Sequence, residues 1–542
     1  MANPQDIDAA LALWRFGLGA QEGSIAAIKA DPRDLLRQEI VEQAVPTPVG
    51  AELRSHADLL VSLYDYNEQV KAERERPQPT QVSAKPGEAA MAAAGSPPPP
   101  SAAKPANAGP GMGGADMAAG AMGAGGMGAG GMAGGGMGGG AAAPGNSAGQ
   151  TMPGAGTAKP AGQQADSVSK RPYYPQQILL AEADARFNGT IHQPLIGFGE
   201  RLAQFWANHF SIAVSKGGEV HILAGCFERE AIRPHVFGRF EDMLVAVETH
   251  PAMLVFLDNR QSIGPNSPAN KNGKRGLNEN LAREIMELHT LGVGSGYSQA
   301  DVTSLARIIT GWTVFRDEKK PGPQGTFVFN AYAHEPGDHA VMGITYAEGG
   351  EEQGRAALRD LARHPATARH LATKLVRHFV ADQPPPALVA KLAAAYTKTG
   401  GDLSAVYMAL VDAEEAWNPQ LTKIRTPLQY VTAVLRTTGI KPKPQQIISV
   451  LNALGQPLWN PSGPNGFSDA SDAWASSEGL ATRIDAASLF AGQVPGAIDP
   501  RAFAGDRFGP LLSDDTLQAI SRAETRPQGL SIAFLSPEFQ RA

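Results

Sequence analysis

Apolar residues recur at three- and four-residue intervals along most of the chain, the spacing that gives a helix one buried face. Before residue 75 the pattern predicts helices over residues 6–15, 24–29, 32–40 and 53–73, with Gly17 and Gly19 stopping the first and Pro32 opening the third. It resumes over 175–188, 196–210, 217–232, 239–249, 278–291 and 298–311. Further helices are expected over 352–362, 365–380, 385–398, 402–411, 427–437 and 444–454. Strand-like alternation is confined to Gly325-Thr326-Phe327-Val328-Phe329 and Val341-Met342-Gly343-Ile344-Thr345, expected to pair with each other. The predicted fold is mainly α, a multi-helix globular domain with at most a small β-hairpin.

Between residues 76 and 170 the periodicity vanishes. Pro97-Pro98-Pro99-Pro100 is followed by Met112, Met117, Met122, Met127, Met132 and Met137, one methionine every fifth residue in glycine and alanine. A spacing of five fits neither helix nor strand, and glycine at this density costs too much backbone entropy to order. A disordered, low-complexity, glycine-rich tether is expected, in preference to a thioether site for a soft metal. The organisation predicted is an N-terminal helical part over 1–75, a disordered Pro/Gly/Ala/Met-rich insert over 76–170, and the main helical part over 171–542.

The 542 residues are 42% hydrophobic and 18% charged, with net charge -6, which excludes the basic balance of a nucleic-acid-binding protein. No apolar run reaches about 18 residues, so no transmembrane segment is expected. The first residues lack a basic stretch followed by an apolar core. No signal peptide is visible, and a cytoplasmic location follows by default. Cys226 is the only cysteine, which rules out an internal disulfide and a multi-cysteine metal site.

Functional side chains concentrate in residues 278–292. Projected at about 100° per residue, Leu281, Ile285 and Leu288 share an apolar face, while Glu279, Arg283 and Glu287 form an ion-pair ladder opposite. Asn278 is the expected N-cap. Glu284 falls at the margin of the apolar face, the place for a partly buried and tuned carboxylate, and His289 points inward. In residues 200–210, Leu202, Phe205, Trp206 and His209 share a face, so His209 also points inward. The loop Tyr332-Ala333-His334-Glu335-Pro336-Gly337-Asp338-His339 adds His334. His370, Lys374, Arg377 and His378 are expected to form a solvated basic helix face. Candidate catalytic residues are therefore His209, Glu284, His289 and Arg283, with Asn280 beside them; candidate metal ligands are His209, His289 and His334. The histidine and glutamate spacing matches neither the His-Glu-x-x-His nor the Glu-x-x-His pattern, and no glycine motif follows a strand as a nucleotide site requires. No cofactor-binding residues are assigned, and the cofactor, if one is used, is unknown.

Ordered blocks along the chain resemble the bacterial domain of unknown function 1800 family. They include Arg15-Phe16-Gly17-Leu18-Gly19, Phe205-Trp206-Ala207-Asn208-His209-Phe210, His250-Pro251-Ala252-Met253, Leu257-Asp258-Asn259 and Asn278-Glu279-Asn280 through Gly292. Later blocks are Thr310-Gly311-Trp312, His364-Pro365-Ala366-Thr367-Ala368, Gly455-Gln456-Pro457-Leu458-Trp459, Pro464-Asn465-Gly466-Phe467 and Ser536-Pro537-Glu538-Phe539. The resemblance implies a mainly helical protein without an accepted activity, substrate or cofactor. It also implies a partner, because family genes lie beside those of a sulfatase-like family, domain of unknown function 1501; relatives are often exported. Where the family pattern reads His-Asp-x-Gly-x-Lys, this chain has His334-Glu335-Pro336-Gly337-Asp338-His339, without the lysine. Two readings result: a helical scaffold working with the sulfatase-like protein, and a metal-assisted hydrolytic enzyme with a His/Glu pocket.

Overall fold

A computed structural model describes residues 3–75, 173–191, 196–271, 273, 276–316 and 322–542. The predicted insert lies outside the described residues. The described parts before residue 76 and after residue 172 belong to one compact unit. They contain 22 α-helices and two small antiparallel sheets of two strands each, a mainly α fold.

The two ends of the chain meet in the core of this unit. Trp14 Nε1 donates to the Arg507 carbonyl at 2.7 Å, Arg425 Nη2 donates to the Trp14 carbonyl at 2.6 Å, and Arg15 Nη1 donates to the Ala416 carbonyl at 2.7 Å. Residues 423–425 pair with the last residues of the chain through Arg425 N–Gln540 O and Ala542 N–Lys423 O bonds. Buried arginines bonded to carbonyls satisfy backbone groups that have no water to turn to.

The strands pair differently from the sequence expectation. β1 (Trp312–Val314) pairs with β2 (Phe327–Phe329), placing Trp312 opposite Phe329. β3 (His339–Val341) pairs with β4 (Ile344–Tyr346) across Met342-Gly343, both at positive φ. Two left-handed residues make a tight primed turn, so the second alternating segment closes on itself and cannot serve β2. Periodicity also leaves unmarked the helices Pro251–Phe256, Ser477–Gln493, Pro500–Phe508 and Arg526–Leu535. The last three have weakly sided apolar patterns, and the first is too short to show a period.

Among the described residues, three π-helical turns interrupt otherwise regular helices: Ala12–Phe16, Glu228–Ile232 and Ile285–His289. Such turns insert a residue and rotate the side chains beyond it around the helix axis. The last of them reshapes the segment richest in candidate chemistry.

Candidate functional site

Helix Phe198–His209 is anchored at its start by the buried Glu39 carboxylate, which accepts from the amides of Ile196, Gly197 and Phe198 at 3.1, 3.2 and 2.8 Å. An anion suits the positive end of a helix, and here it fixes the direction of the whole element. Arg201, Phe205 and His209 follow one another at four-residue steps along one face.

Helix Pro365–Phe379 presents a matching row. His364 caps it, its Nδ1 accepting from Ala366 N at 3.1 Å, with Pro365 at the first helical position. His370, Lys374 and His378 again follow at four-residue steps. The two rows meet running in opposite directions: Arg201 Nε donates to His378 Nε2 at 3.2 Å, and Lys374 Nζ stands 3.0 Å from His209 Nδ1. Of the basic face expected in solvent, His370, Lys374 and His378 are turned inward, while Arg377 stays half-exposed. His378 is buried, and Lys374 is partly exposed along its chain with its amine enclosed.

The π turn Ile285–His289 completes this arrangement. Its final carbonyls would lack helical partners, and two imidazoles supply them: His370 Nε2 bonds Leu288 O and His209 Nε2 bonds His289 O, both at 3.1 Å. Each imidazole must donate there, which leaves His209 Nδ1 as the acceptor facing Lys374. His289 Nδ1 donates in turn to Glu248 Oε1 at 2.7 Å, with both side chains fully buried. Burial, followed by the nearby Lys374 amine, holds His209 well below the usual imidazole range and His370 down to about 4. Burial also brings Lys374 down to about 8. Beyond Lys374, Asp469 accepts from His378 Nδ1 at 2.8 Å. Burial alone would raise the Asp469 carboxyl, but His378 and Lys374 outweigh it and hold the group low.

A continuous polar row thus crosses the core from Glu248 and His289 through His209 and Lys374 towards Asp469 and His378. Two hollows that share Pro457, Pro461 and Phe467 lie close by. Asp469, His378, Gln204 and Trp459 line a cavity of about 60 Å³, in which both amide atoms of buried Gln204 lack partners. Asn280, Glu284, Ser215, Leu257, Asn460 and Phe467 line the second, an open groove of about 690 Å³. Asn208 holds the loop between the two hollows, its side chain bonding both the carbonyl and the amide of Phe467 at 2.8 Å.

Glu284 is the distinctive carboxylate of this region. Glu248 bonds His289, Glu279 pairs with Arg283 at 3.2 Å, Glu287 accepts from Tyr297, and Asp258 pairs with Lys216 at 2.5 Å. The Glu284 side chain has no hydrogen bond or ion pair among the described residues, is half-buried, and lines the groove. Burial raises its pKa, with the His289 ring within electrostatic reach as a smaller opposing influence.

The sequence candidates therefore separate. His209 and His289 adjoin each other, their ring centres 6.2 Å apart, with Glu284 near His289. Arg283 lies on the outer face, bonded to Glu279 and Gln299. Glu287 leaves the expected ladder because the π turn beginning at Ile285 rotates it towards Tyr297. Asn278 does not occupy the N-cap position, which falls to Glu279, but its side chain accepts from Asn280 N at 2.9 Å, a cap-like contact one residue early. His334 stands apart, donating to Thr310 O at 3.0 Å and packing edge-on against Phe329. Both His209 nitrogens are already engaged, so a metal there would have to displace Lys374. Sequence reasoning does not identify Glu248, Lys374, His378 or Asp469 as site residues; the repeated four-residue steps are the available signal for Lys374 and His378.

Residues 11–541 match the model of a family described as a protein of unknown function, DUF1800. No curated protein matches the chain, and no solved structure does.

Proposed function

Because the chain belongs to the DUF1800 family, whose description names no activity, we propose a function from the groove itself: acid–base hydrolysis of a polar molecule, with Glu284 as the catalytic carboxyl. The supporting observation is that Glu284 alone among the neighbouring acids has no structural partner while lining the groove. The Glu284 carboxylate takes a proton from the attacking water as the water oxygen bonds to the scissile carbon, and the carboxyl so formed returns that proton to the leaving-group oxygen as its bond to carbon breaks; partial burial, which raises the group's affinity for a proton, suits it to both steps. Asn280, Ser215 and Asn460 offer hydrogen bonds to an uncharged polar substrate, and Leu257 and Phe467 offer it an apolar face. An ester- or glycoside-type bond fits that lining.

His289, tied to Glu248, lies within electrostatic reach of Glu284, and His209, itself met by Lys374, bonds the His289 backbone carbonyl. These are positioning residues. Arg283 orders the outer side of the same segment. The experiment is a panel of chromogenic esters and glycosides assayed with the intact protein: cleavage of at least one class supports the reading, and inertness towards both defeats it.

The scaffold reading has a separate observation behind it. Leu480 and Ile484 stand one turn apart on helix Ser477–Gln493, 47% and 53% exposed. A solvent-facing apolar pair of this kind suits a docking contact, and the sulfatase-like protein is the proposed occupant. Co-purification of the two proteins, lost on Leu480→Asp, supports it; failure of the wild-type pair to associate defeats it.

A further inference from the structure

A second constellation lies outside this site. His56 opens helix His56–Glu75, Glu230 lies on the π turn Glu228–Ile232, and His250 caps helix Pro251–Phe256. These residues come from distant parts of the sequence. Yet one ligand atom from each of the three lies within 4.8 Å of the others. His56 Nδ1 is 2.5 Å from Glu230 Oε2, and His250 Nε2 is 3.6 Å from the same oxygen. The side chains of His56 and Glu230 are about a quarter exposed, whereas His250 is buried. The cluster is closed on the protein side and open on the other.

The geometry points to a divalent metal site, of the zinc class, formed by His56, Glu230 and His250. Two imidazoles and one carboxylate are a donor set that zinc takes with a fourth position left for water. Ligand atoms about 2.1 Å from a tetrahedral ion stand about 3.4 Å apart. The His250–Glu230 separation already meets that spacing, and His56 needs only to open from its direct contact with the carboxylate.

The competing account is a purely structural one. His250 Nδ1 accepts from Ala252 N at 3.1 Å, as His364 does from Ala366 N at the other His-Pro-Ala segment. That cap places the ring proton on Nε2, where a metal would bind. Capping alone does not explain why Nε2 of His250 faces a carboxylate and a second histidine. At 3.6 Å it meets that carboxylate as a long electrostatic contact, and it is buried without a close hydrogen-bond partner. His364, which serves the same cap, belongs to no such cluster among the described residues. Metal binding at Nε2 moves the ring proton to Nδ1 and exchanges the Ala252 hydrogen bond for a coordinate bond, with Glu230 offsetting one of the ion's two charges.

The test uses the full chain, stripped with chelator and titrated with Co²⁺, whose visible spectrum reports four-coordinate N/O ligation. Wild type is expected to bind about one equivalent, while Glu230→Gln and His250→Asn lose at least tenfold in affinity. Asparagine keeps the helix cap, so His250→Asn separates ligation from folding. His364→Asn is expected to bind as wild type does. Absence of the cobalt spectrum in folded wild-type protein would overturn the site, as would unchanged affinity in both Glu230→Gln and His250→Asn. Because none of these residues touches the groove, failure here leaves the Glu284 reading standing, and the reverse holds.

Discussion

Lys374 Nζ stands 3.0 Å from His209 Nδ1, although the two residues are 165 positions apart in sequence. The imidazole is oriented by its bond to His289 O, so it offers the amine a lone pair. No carboxylate forms an ion pair with the amine among the described residues. Enclosure without a full countercharge favours the neutral amine.

Lys374 is therefore expected to titrate near about 8, well below the usual lysine range. Between those values the unfolded chain binds a proton that the folded protein does not, so this amine makes stability rise with pH across that interval. Amine-edge NMR titration gives the pKa directly. Denaturant unfolding of wild type and Lys374→Met across pH 8 to 10.5 gives the slope, which the variant should lack.

Glu248 and His289 form a fully buried pair at 2.7 Å. Removing either partner leaves a polar group without water or a bond, and each single alanine variant is expected to lose about 3–5 kcal/mol. Glu248→Leu combined with His289→Leu should cost less than the sum of the single leucine variants, because no orphan remains. Additive losses in urea unfolding would show that the pair is not coupled.

Gly292 has φ of +86°, and a Cβ placed there would lie 2.7 Å from His370 Nδ1. Backbone and side chain oppose substitution together, so Gly292→Ala is expected to destabilise by about 1–3 kcal/mol. It should also disturb the His370 ring resonance. A change in stability below about 0.5 kcal/mol would contradict the packing described.

Much of this is visible in the sequence, through the features that short-range rules govern. The helix of His209, the inward turn of His289 and the marginal position of Glu284 all follow from spacing, as does the mainly α class. Spacing cannot supply which faces meet. His370, Lys374 and His378 carry the same four-residue step as Arg201, Phe205 and His209, yet a basic stripe reads as solvated until its partner is known. The π turn after Glu284 is hidden for a related reason: Ile285 and Leu288 keep an apolar pattern whether or not an extra residue enters the turn. The strand partners differ because alternation marks a strand without saying that Met342-Gly343 folds β3 straight onto β4. Composition alone groups His334 with the other histidines, whereas Thr310 and Phe329 determine its place.

The sharpest test of Glu284 as the catalytic carboxyl is the pH–rate profile of Glu284→Gln beside wild type, on the ester or glycoside class that wild type cleaves. Glutamine keeps the shape and removes the titrating proton. A loss of about 100-fold or more is expected, with melting temperature unchanged and with the wild-type profile governed by a carboxyl above its ordinary 4.5. A Glu284→Gln protein that hydrolyses at the wild-type rate over the same pH range would contradict that role.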